Sequence, residues 1–279
     1  MSHPAPSALL DSLTRHLHFY ASFDSEVRAD RGAGTRLPRT RFDHPQQNGV
    51  YEHQDGFDST VFRIAPNRGI VGGALEATDT LPRRGRIYFP AAGNLPFSPD
   101  GWNGTLSFWL LGDPNLLLKG SFSDPVQITH RGSGDGGLWV DFNNNTPRDL
   151  RAGAFPARTA EQPGFEESDA EAPLIVVPGL AWPGWRHVAL TWENLDSGAA
   201  NASVTLYLDG QPAGSLQDRK LSMAWDLTQT GIYVAVGYMG LLDELAIVDR
   251  ALSATEIAEL HAAPDLIARA HQVSPGMLH

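Results

Sequence analysis

The chain has 279 residues, no cysteine, 28 glycines, 20 prolines and a formal net charge of −11. Zero cysteines excludes disulfides, cysteine–zinc sites and thiol nucleophiles, and the acidic balance speaks against non-specific nucleic-acid binding, which needs a basic footprint. Frequent glycine and proline suit many short strands and turns and suit long helices poorly. A carboxylate-rich surface also supplies the oxygen donors from which divalent-cation sites are built.

Residues 1–16 read as a short leader with a helical turn around Leu9, Leu10 and Leu13. They lack the basic segment followed by an apolar run that marks an export signal, and nowhere does the chain reach the roughly 18 apolar residues of a membrane span, so no membrane insertion is expected. Residues 17–23 alternate apolar Leu17, Phe19, Ala21 and Phe23 with His18 and Ser22, the period of a half-buried strand. Residues 25–68 show no sustained period and read as a long surface excursion, with a hairpin near 58–64. Strand signals then recur at short intervals over 69–77, 86–89, 105–111, 126–130, 137–142, 174–177, 185–192, 202–208, 211–216, 231–237 and 242–248. Asp209-Gly210 between two of them favours a tight hairpin. The stretch 143–173, with Asn143-Asn144-Asn145 and a run of acids, reads as a loop insertion. Ser253-Ala254-Thr255-Glu256 has the form of a capping box, and Leu252, Ile257 and Leu260 give the helix it starts an apolar face. Pro264 interrupts that helix, and 263–279 reads as a tail or second short helix.

The segment Trp185-Arg186-His187-Val188-Ala189-Leu190-Thr191 resembles the Trp-x-His-Val-Ala-x-Thr strand of laminin-G-like jelly rolls. Val204-Thr205-Leu206-Tyr207-Leu208-Asp209-Gly210 resembles the hairpin that follows it in that family, and the run from Gly240 through Leu242-Asp243-Glu244 and Arg250-Ala251-Leu252-Ser253 to Ile257 resembles its last strand and closing helix. Upstream, Phe23-Asp24, Gly72-Gly73-Ala74-Leu75 and Thr105-Leu106-Ser107-Phe108-Trp109 fall in the family's order. The resemblance covers residues 17–262, with 25–68 and 143–173 as departures. It implies an all-β fold, a two-sheet antiparallel jelly-roll sandwich of the laminin-G/concanavalin A-like type closed by a short C-terminal helix. It implies a binding module for carbohydrate or protein, supported in many members by a structural Ca²⁺, and an extracellular or cell-envelope setting that the N-terminus does not itself signal. The last strand should pair with the first and bring Phe23-Asp24 close to Asp243.

Alternation places Asp243 on the face of Leu245 and Ile247, where an ionised carboxylate needs a cation, amide donors or an arginine. Asp24 and Asp243 are therefore candidate Ca²⁺ ligands; the alternative is that Asp243 accepts backbone amides or pairs with Arg250. For a sugar, Trp102, Trp182 and Trp225 lie near turns and could offer flat faces, or could anchor loops. Trp109, Trp185 and Trp192 read as core, and His187 as a packed strand residue. Glu167-Ser168-Asp169-Ala170-Glu171 formally matches the carboxylate strand of retaining glucanases, but its flanks are those of a solvated loop. No Gly-x-Ser-x-Gly elbow or phosphate loop occurs. The expectation is a non-enzymatic carbohydrate-binding or adhesion-type module. The alternatives are a structural or protein-interaction domain without sugar affinity and, further off, a polysaccharide hydrolase.

Overall fold

The structure is a computed structural model that describes residues 8–47, 49–119, 122–160 and 163–273. The remainder of the leader (1–7) and of the tail (274–279) lies outside the described residues.

Among the described residues the strands form two eight-stranded antiparallel sheets. The first holds β1 (Leu17–Ala21), β4 (Phe62–Ala65), β5 (Ala74–Ala77), β7 (Trp102–Leu111), β12 (Arg186–Leu195), β13 (Ala202–Leu208), β14 (Gln211–Arg219) and β16 (Gly240–Val248). Its order is β14-β13-β12-β7-β16-β5-β4, with β1 also on β16. The second holds β2 (Arg39–Asp43), β3 (Tyr51–Asp55), β6 (Arg86–Pro90), β8 (Ser123–Thr129), β9 (Gly137–Phe142), β10 (Leu150–Phe155), β11 (Leu174–Val177) and β15 (Gly231–Val236), in the order β11-β10-β9-β8-β15-β6-β2-β3. The antiparallel sandwich expected from the strand series is present.

Alternation explains the stacking. Phe108 and Leu110 of β7, Val188 and Leu190 of β12 and Ile247 of β16 point inward from the first sheet. Ile128 of β8, Val140 of β9, Ile232 and Val234 of β15 and Ile87 and Phe89 of β6 meet them from the second. Each such side chain taken out of water stabilises the fold by roughly 1.5–3 kcal/mol. The first and last strands lie side by side as expected, with Leu17 opposite Val248, Phe19 opposite Ile247 and Ala21 opposite Leu245. Phe19 then meets Phe89 edge-on across the sandwich at 5.3 Å.

Helices α1 (Ala8–His16), α3 (Ala254–Ala262) and α4 (Leu266–Val273) form a third layer on the outside of the first sheet. The short α2 (Pro114–Leu117) lies apart, in the loop between β7 and β8. Leu9 and Leu13 of α1, Ile257 and Leu260 of α3 and Leu266, Ile267 and Ala270 of α4 pack with Tyr20, Ala189, Tyr207 and Ala246, the outward residues of their strands. The capping box of α3 is formed: the Glu256 amide donates to Ser253 Oγ at 3.3 Å and the Ser253 amide to Glu256 Oε2 at 2.8 Å. His187 is buried, with Nε2 on Ser107 Oγ at 2.9 Å, as its place in the strand suggests.

Two stretches read as loops carry strands. The 25–68 excursion supplies β2, β3 and β4, and β4 pairs with β5 in place of a local hairpin near 58–64. The 143–173 stretch supplies β10, an interior strand between β9 and β11.

Candidate functional site

Two places gather polar side chains, one at the strand corner singled out by the sequence and one on the outer face of the second sheet.

At the corner, Asp243 and Asp24 flank the 69–73 loop. Asp243 is fully buried (0 % exposed). Its Oδ2 accepts the amides of Ile70 and Val71 at 2.8 and 3.2 Å, and Oδ1 accepts the amide of Glu244 at 2.9 Å. Asp24 Oδ1 accepts the amide of Gly73 at 2.8 Å. The loop fits this closely because it is glycine-rich: a Cβ on Gly72, whose φ is +59°, would lie 2.0 Å from Asp24 Oδ1, and one on Gly73 would lie 2.5 Å from the Asp24 carbonyl. Arg250 does not take part; it pairs with Glu256 and Ser12.

Asp243 is not placed by simple alternation with Leu245 and Ile247. Leu242, Leu245 and Ile247 all face the core. The register shifts between Asp243 and Ala246, and Glu244 has a φ of +52°. This bulge inserts an extra residue and re-aims the side chains. Asp243 thus turns toward the loop amides, and Glu244 turns under Tyr20, whose hydroxyl donates to Oε1 at 2.6 Å. Glu244 Oε2 is buried without a partner. Burial, opposed by the loop amides and reinforced by Asp24, pushes the Asp243 carboxyl up to about 7. Burial, reinforced by Asp243, Asp24 and Asp30 against the Tyr20 hydrogen bond, pushes Glu244 up to about 9. None of Asp24, Asp30, Asp243 and Glu244 is in an ion pair among the described residues.

For a calcium ion, which takes six to eight oxygens, the corner offers two carboxylates and a crowd of carbonyls. Those of Phe23 and Asp24 lie against Gly73, and those of Val71 and Gly73 against Gly69. The donor set is all oxygen, as a hard cation requires. A carboxylate has about four acceptor sites; Asp243 uses three on amides and Asp24 one. No group of three or more His, Cys, Asp or Glu side chains able to hold a metal occurs among the described residues, so an ion here would draw most of its ligands from the backbone.

The outer face of the second sheet carries polar, charged and hydroxylated aromatic side chains, where the inner face is apolar. One cross-strand row runs Gly153, Trp139, Gln127, Tyr233, Tyr88, Arg39. Gly153 is required there, because a Cβ would lie 2.3 Å from the Trp139 ring that covers it. Beside this row Arg151 sits opposite Asp141. Arg151 Nε donates to Asp141 Oδ1 at 2.8 Å, Nη2 to Oδ2, and Nη1 to Glu167 Oε2 at 2.7 Å. Further along, Arg86 and Arg41 sit opposite each other, and the Arg41 guanidinium lies between the rings of Tyr51 and Tyr233 at 4.1 and 4.8 Å.

The β10 end of this face is roofed: Trp139 donates to the Ser133 carbonyl at 2.9 Å and Arg158 to the Gly134 carbonyl at 3.2 Å. The other end is open. Two adjoining cavities of about 600 Å³ each share Gly49, Tyr51 and Arg131. The first is lined by Arg86, Asp124, Gln127, Phe122 and the β2–β3 turn residues His44 and Gln47; the second by His130, Asp226 and Gln229. Asp124, at the irregular start of β8, is half-buried at the margin. With its amide oriented so that Nε2 donates to Asp124 Oδ2 at 3.1 Å and Oε1 accepts from the Ser133 amide, Gln127 joins the two. Burial and the nearby Asp141 raise the Asp124 carboxyl well above the usual carboxylate range.

The three tryptophans singled out by sequence lie elsewhere. Trp102, Trp182 and Trp225 are 2 %, 6 % and 6 % exposed. Trp102 packs with Trp192 at 4.5 Å and Trp225 at 5.4 Å, and Trp182 packs edge-on to Phe142 at 5.1 Å. Their faces are spent inside the protein, those of Trp102 and Trp225 on each other and on Trp192 and Phe97, that of Trp182 on Phe142 and the Arg186 guanidinium. The aromatics at the groove are Tyr51 and the 47 %-exposed Phe122. In the sequence Tyr51 is one of several aromatics scattered without a period through 25–68, so nothing local singles it out. The acidic run 166–171 presents no carboxylate strand: Glu166 pairs with Arg158, Glu167 with Arg151 and Glu171 with Arg219.

The profile of the concanavalin A-like lectin/glucanase superfamily, of laminin-G type, matches residues 87–258, more than half of the chain. The chain belongs to that superfamily. No curated protein sequence matches this lectin/glucanase-fold chain. Among solved structures it is similar to domain 4 of AbnA, a GH43 extracellular arabinanase of Geobacillus stearothermophilus determined with arabinotriose, with a TM-score of 0.53 and 15 % identity over 88 % of this chain and 100 % of that one. It is similar to the binding domain of Paraclostridial Mosquitocidal Protein 1, with a TM-score of 0.56 and 14 % identity over 89 % of this chain and 52 % of that one. A third is the binding domain of botulinum neurotoxin DC in complex with SialylT, with a TM-score of 0.56 and 11 % identity over 92 % and 52 %. The chain thus spans about half the length of these toxin domains. At such identities the likeness is one of fold.

Proposed function

We propose that this domain is a non-catalytic carbohydrate-binding module whose ligand lies in the groove on the outer face of the second sheet. The observation that carries the reading is the pair of adjoining cavities floored and walled by Arg86, Asp124, Gln127 and His130, with Tyr51 at their junction. Planar hydrogen-bonding groups beside an aromatic ring match a sugar's hydroxyls and its apolar ring face. The similar folds determined with arabinotriose and SialylT support a sugar as ligand. A hydrolytic role would need a pair of free carboxyl groups about a scissile bond; both oxygens of Asp141 are engaged by Arg151 and Asp226 is held by Thr228 and Gln229, while Asp43 and Asp124 line the first cavity within electrostatic range of Arg86.

The test is a glycan array followed by titration calorimetry. Tyr51→Ala and Phe122→Ala are expected to weaken binding of the best glycan by about tenfold or more, in keeping with stacking worth on the order of 1–2 kcal/mol. Absence of binding to any glycan, or binding unchanged in both variants, would overturn the reading. A protein ligand is the second reading, favoured by the apolar side chains left bare between β7 and β8, with Leu116 82 % exposed beside Leu117 and Phe122.

The same proposal includes a structural Ca²⁺ at the corner, held by Asp24 and Asp243 with carbonyls of the 69–73 loop. Its charge would offset the accumulation of carboxylates there, and an ion bound only by the folded state stabilises it by mass action. At pH 8 the melting midpoint is expected to rise by several degrees on going from EGTA to millimolar Ca²⁺, and Asp24→Asn should reduce that rise. A midpoint indifferent to calcium would leave Asp243 to the backbone amides of Ile70, Val71 and Glu244.

A further inference from the structure

The first cavity gathers arginines although the chain carries −11 overall: Arg84, Arg86 and Arg131 line it against Asp43 and Asp124. Arg131 is paired with Asp135 at 3.3 Å and Asp226 lines the second cavity, so the unpaired positive charge centres on Arg86. Arg86 is half-buried and lies directly opposite Arg41 on the neighbouring strand. Like charges facing across a sheet destabilise it, and a charge removed from water calls for a counter-ion. Among the described residues neither arginine is in an ion pair, and Arg41 Nε is buried without a hydrogen-bond partner. Tyr51 and Tyr233 give Arg41 two ring faces; Arg86 has no such partner and borders open space. Asp43 and Asp124 lie within electrostatic range of Arg86 but outside ion-pair distance.

We propose that the groove selects a glycan bearing a carboxylate, a uronic-acid type of sugar, whose carboxylate pairs with Arg86 while Arg84 and Arg131 hold it at the rim. The planar guanidinium matches a planar carboxylate through two parallel hydrogen bonds. This rests on the carbohydrate-binding reading and adds the chemical class of the sugar. Asp124 does not repel such a ligand while it holds a proton. The groups facing it are Arg86 from β6, Gln127 on its own strand, Asp141 from β9, Arg151 from β10 and Glu167 from the following loop; burial and the two other carboxylates favour the protonated form, and the arginines oppose it.

The experiment is calorimetric titration of the intact chain with an oligogalacturonate, its methyl ester and a sulfated neutral oligosaccharide. The acid oligomer is expected to bind at least tenfold more tightly than the ester at pH 6. Arg86→Gln should remove that preference while ester binding persists, and Arg84→Gln, at an exposed position that leaves the fold untouched, should reduce it by a few-fold. Binding of the acid should weaken between pH 6 and 9 in the wild type and hold steady in Asp124→Asn. Equal affinity for acid and ester, or a preference untouched by either arginine variant, would overturn the anionic selection and leave the groove as a neutral-sugar site. Tighter binding of the sulfated sugar than of the uronate would overturn the carboxylate assignment. Absence of binding to all three, with a glycan of another class captured on the array and lost in Tyr51→Ala, would overturn this inference alone; absence of any glycan binding would remove both.

Discussion

Arg151→Ala is expected to cost about 3–5 kcal/mol of unfolding free energy at pH 8, measured by urea denaturation. The guanidinium is buried with Asp141, which it holds through two parallel bonds, and it reaches Glu167 with its remaining nitrogen. Its removal strands a buried carboxylate next to Asp124, and uncompensated buried charge is the costly outcome. It also removes the bond that ties Glu167 to the sheet face. The deficit should shrink at pH 5. Without Arg151 the folded-state pKa of Asp141 rises further above its unfolded value, so protons bind preferentially to the folded variant and stability returns as pH falls. Pairing Arg151→Met with Asp141→Leu should recover most of the loss, because two apolar groups leave no charge unpaired. A single-variant cost below about 1 kcal/mol would show that this pair is solvated and that the β10 end of the sheet face is open.

The second large effect is expected at the acid corner. In chelator, stability should fall by on the order of 2–4 kcal/mol between pH 5.5 and 9. Asp243 and Glu244 have folded-state values raised to about 7 and about 9, well above those of exposed carboxylates. Between the unfolded and folded values the folded state holds protons that the unfolded chain has released. Their contribution is complete at low pH and is lost as pH rises through 7 and then 9. Glu244→Gln mimics the protonated acid, keeps an acceptor for the Tyr20 hydroxyl, and should flatten much of this slope. Bound Ca²⁺ requires the carboxylates ionised, so its stabilisation should be larger at pH 8 than at pH 5.5. A pH profile in chelator that is level from 5.5 to 9 and identical in Glu244→Gln would refute the neutral-acid picture of the corner.

Legibility followed side-chain chemistry. Strands such as β13, rich in valine, leucine and tyrosine, signalled themselves because large side chains alternate between a packed and a covered face. The interior strand β10 did not, since between Leu150 and Phe155 it offers only one cation and three small residues, Arg151-Ala152-Gly153-Ala154. Its glycine answers to the Trp139 ring on the next strand, and its arginine to Asp141. Strands β2 and β3 hid for another reason: charged residues guard a sheet edge, and Arg41 counts as a strand residue only once the rings of Tyr51 and Tyr233 enclose it. The buried fate of Trp102, Trp182 and Trp225 was equally out of reach, because turn residues on either side say nothing about which side chains will pack on their faces.

The amino-acid sequence by itself determined the sandwich, the pairing of its first strand with its last, the capped α3 helix and the nearness of Asp24 to Asp243, all of which follow from local periodicity, capping chemistry and ordered motifs. The tertiary structure alone decided the geometry of both sites. The corner depends on a bulge that re-aims Asp243 and Glu244, and the open polar face on a roof over the β10 end of the second sheet and on Arg41 and Arg86 meeting from strands far apart in the chain. Such juxtapositions are long-range packing results, and no window of sequence contains both partners.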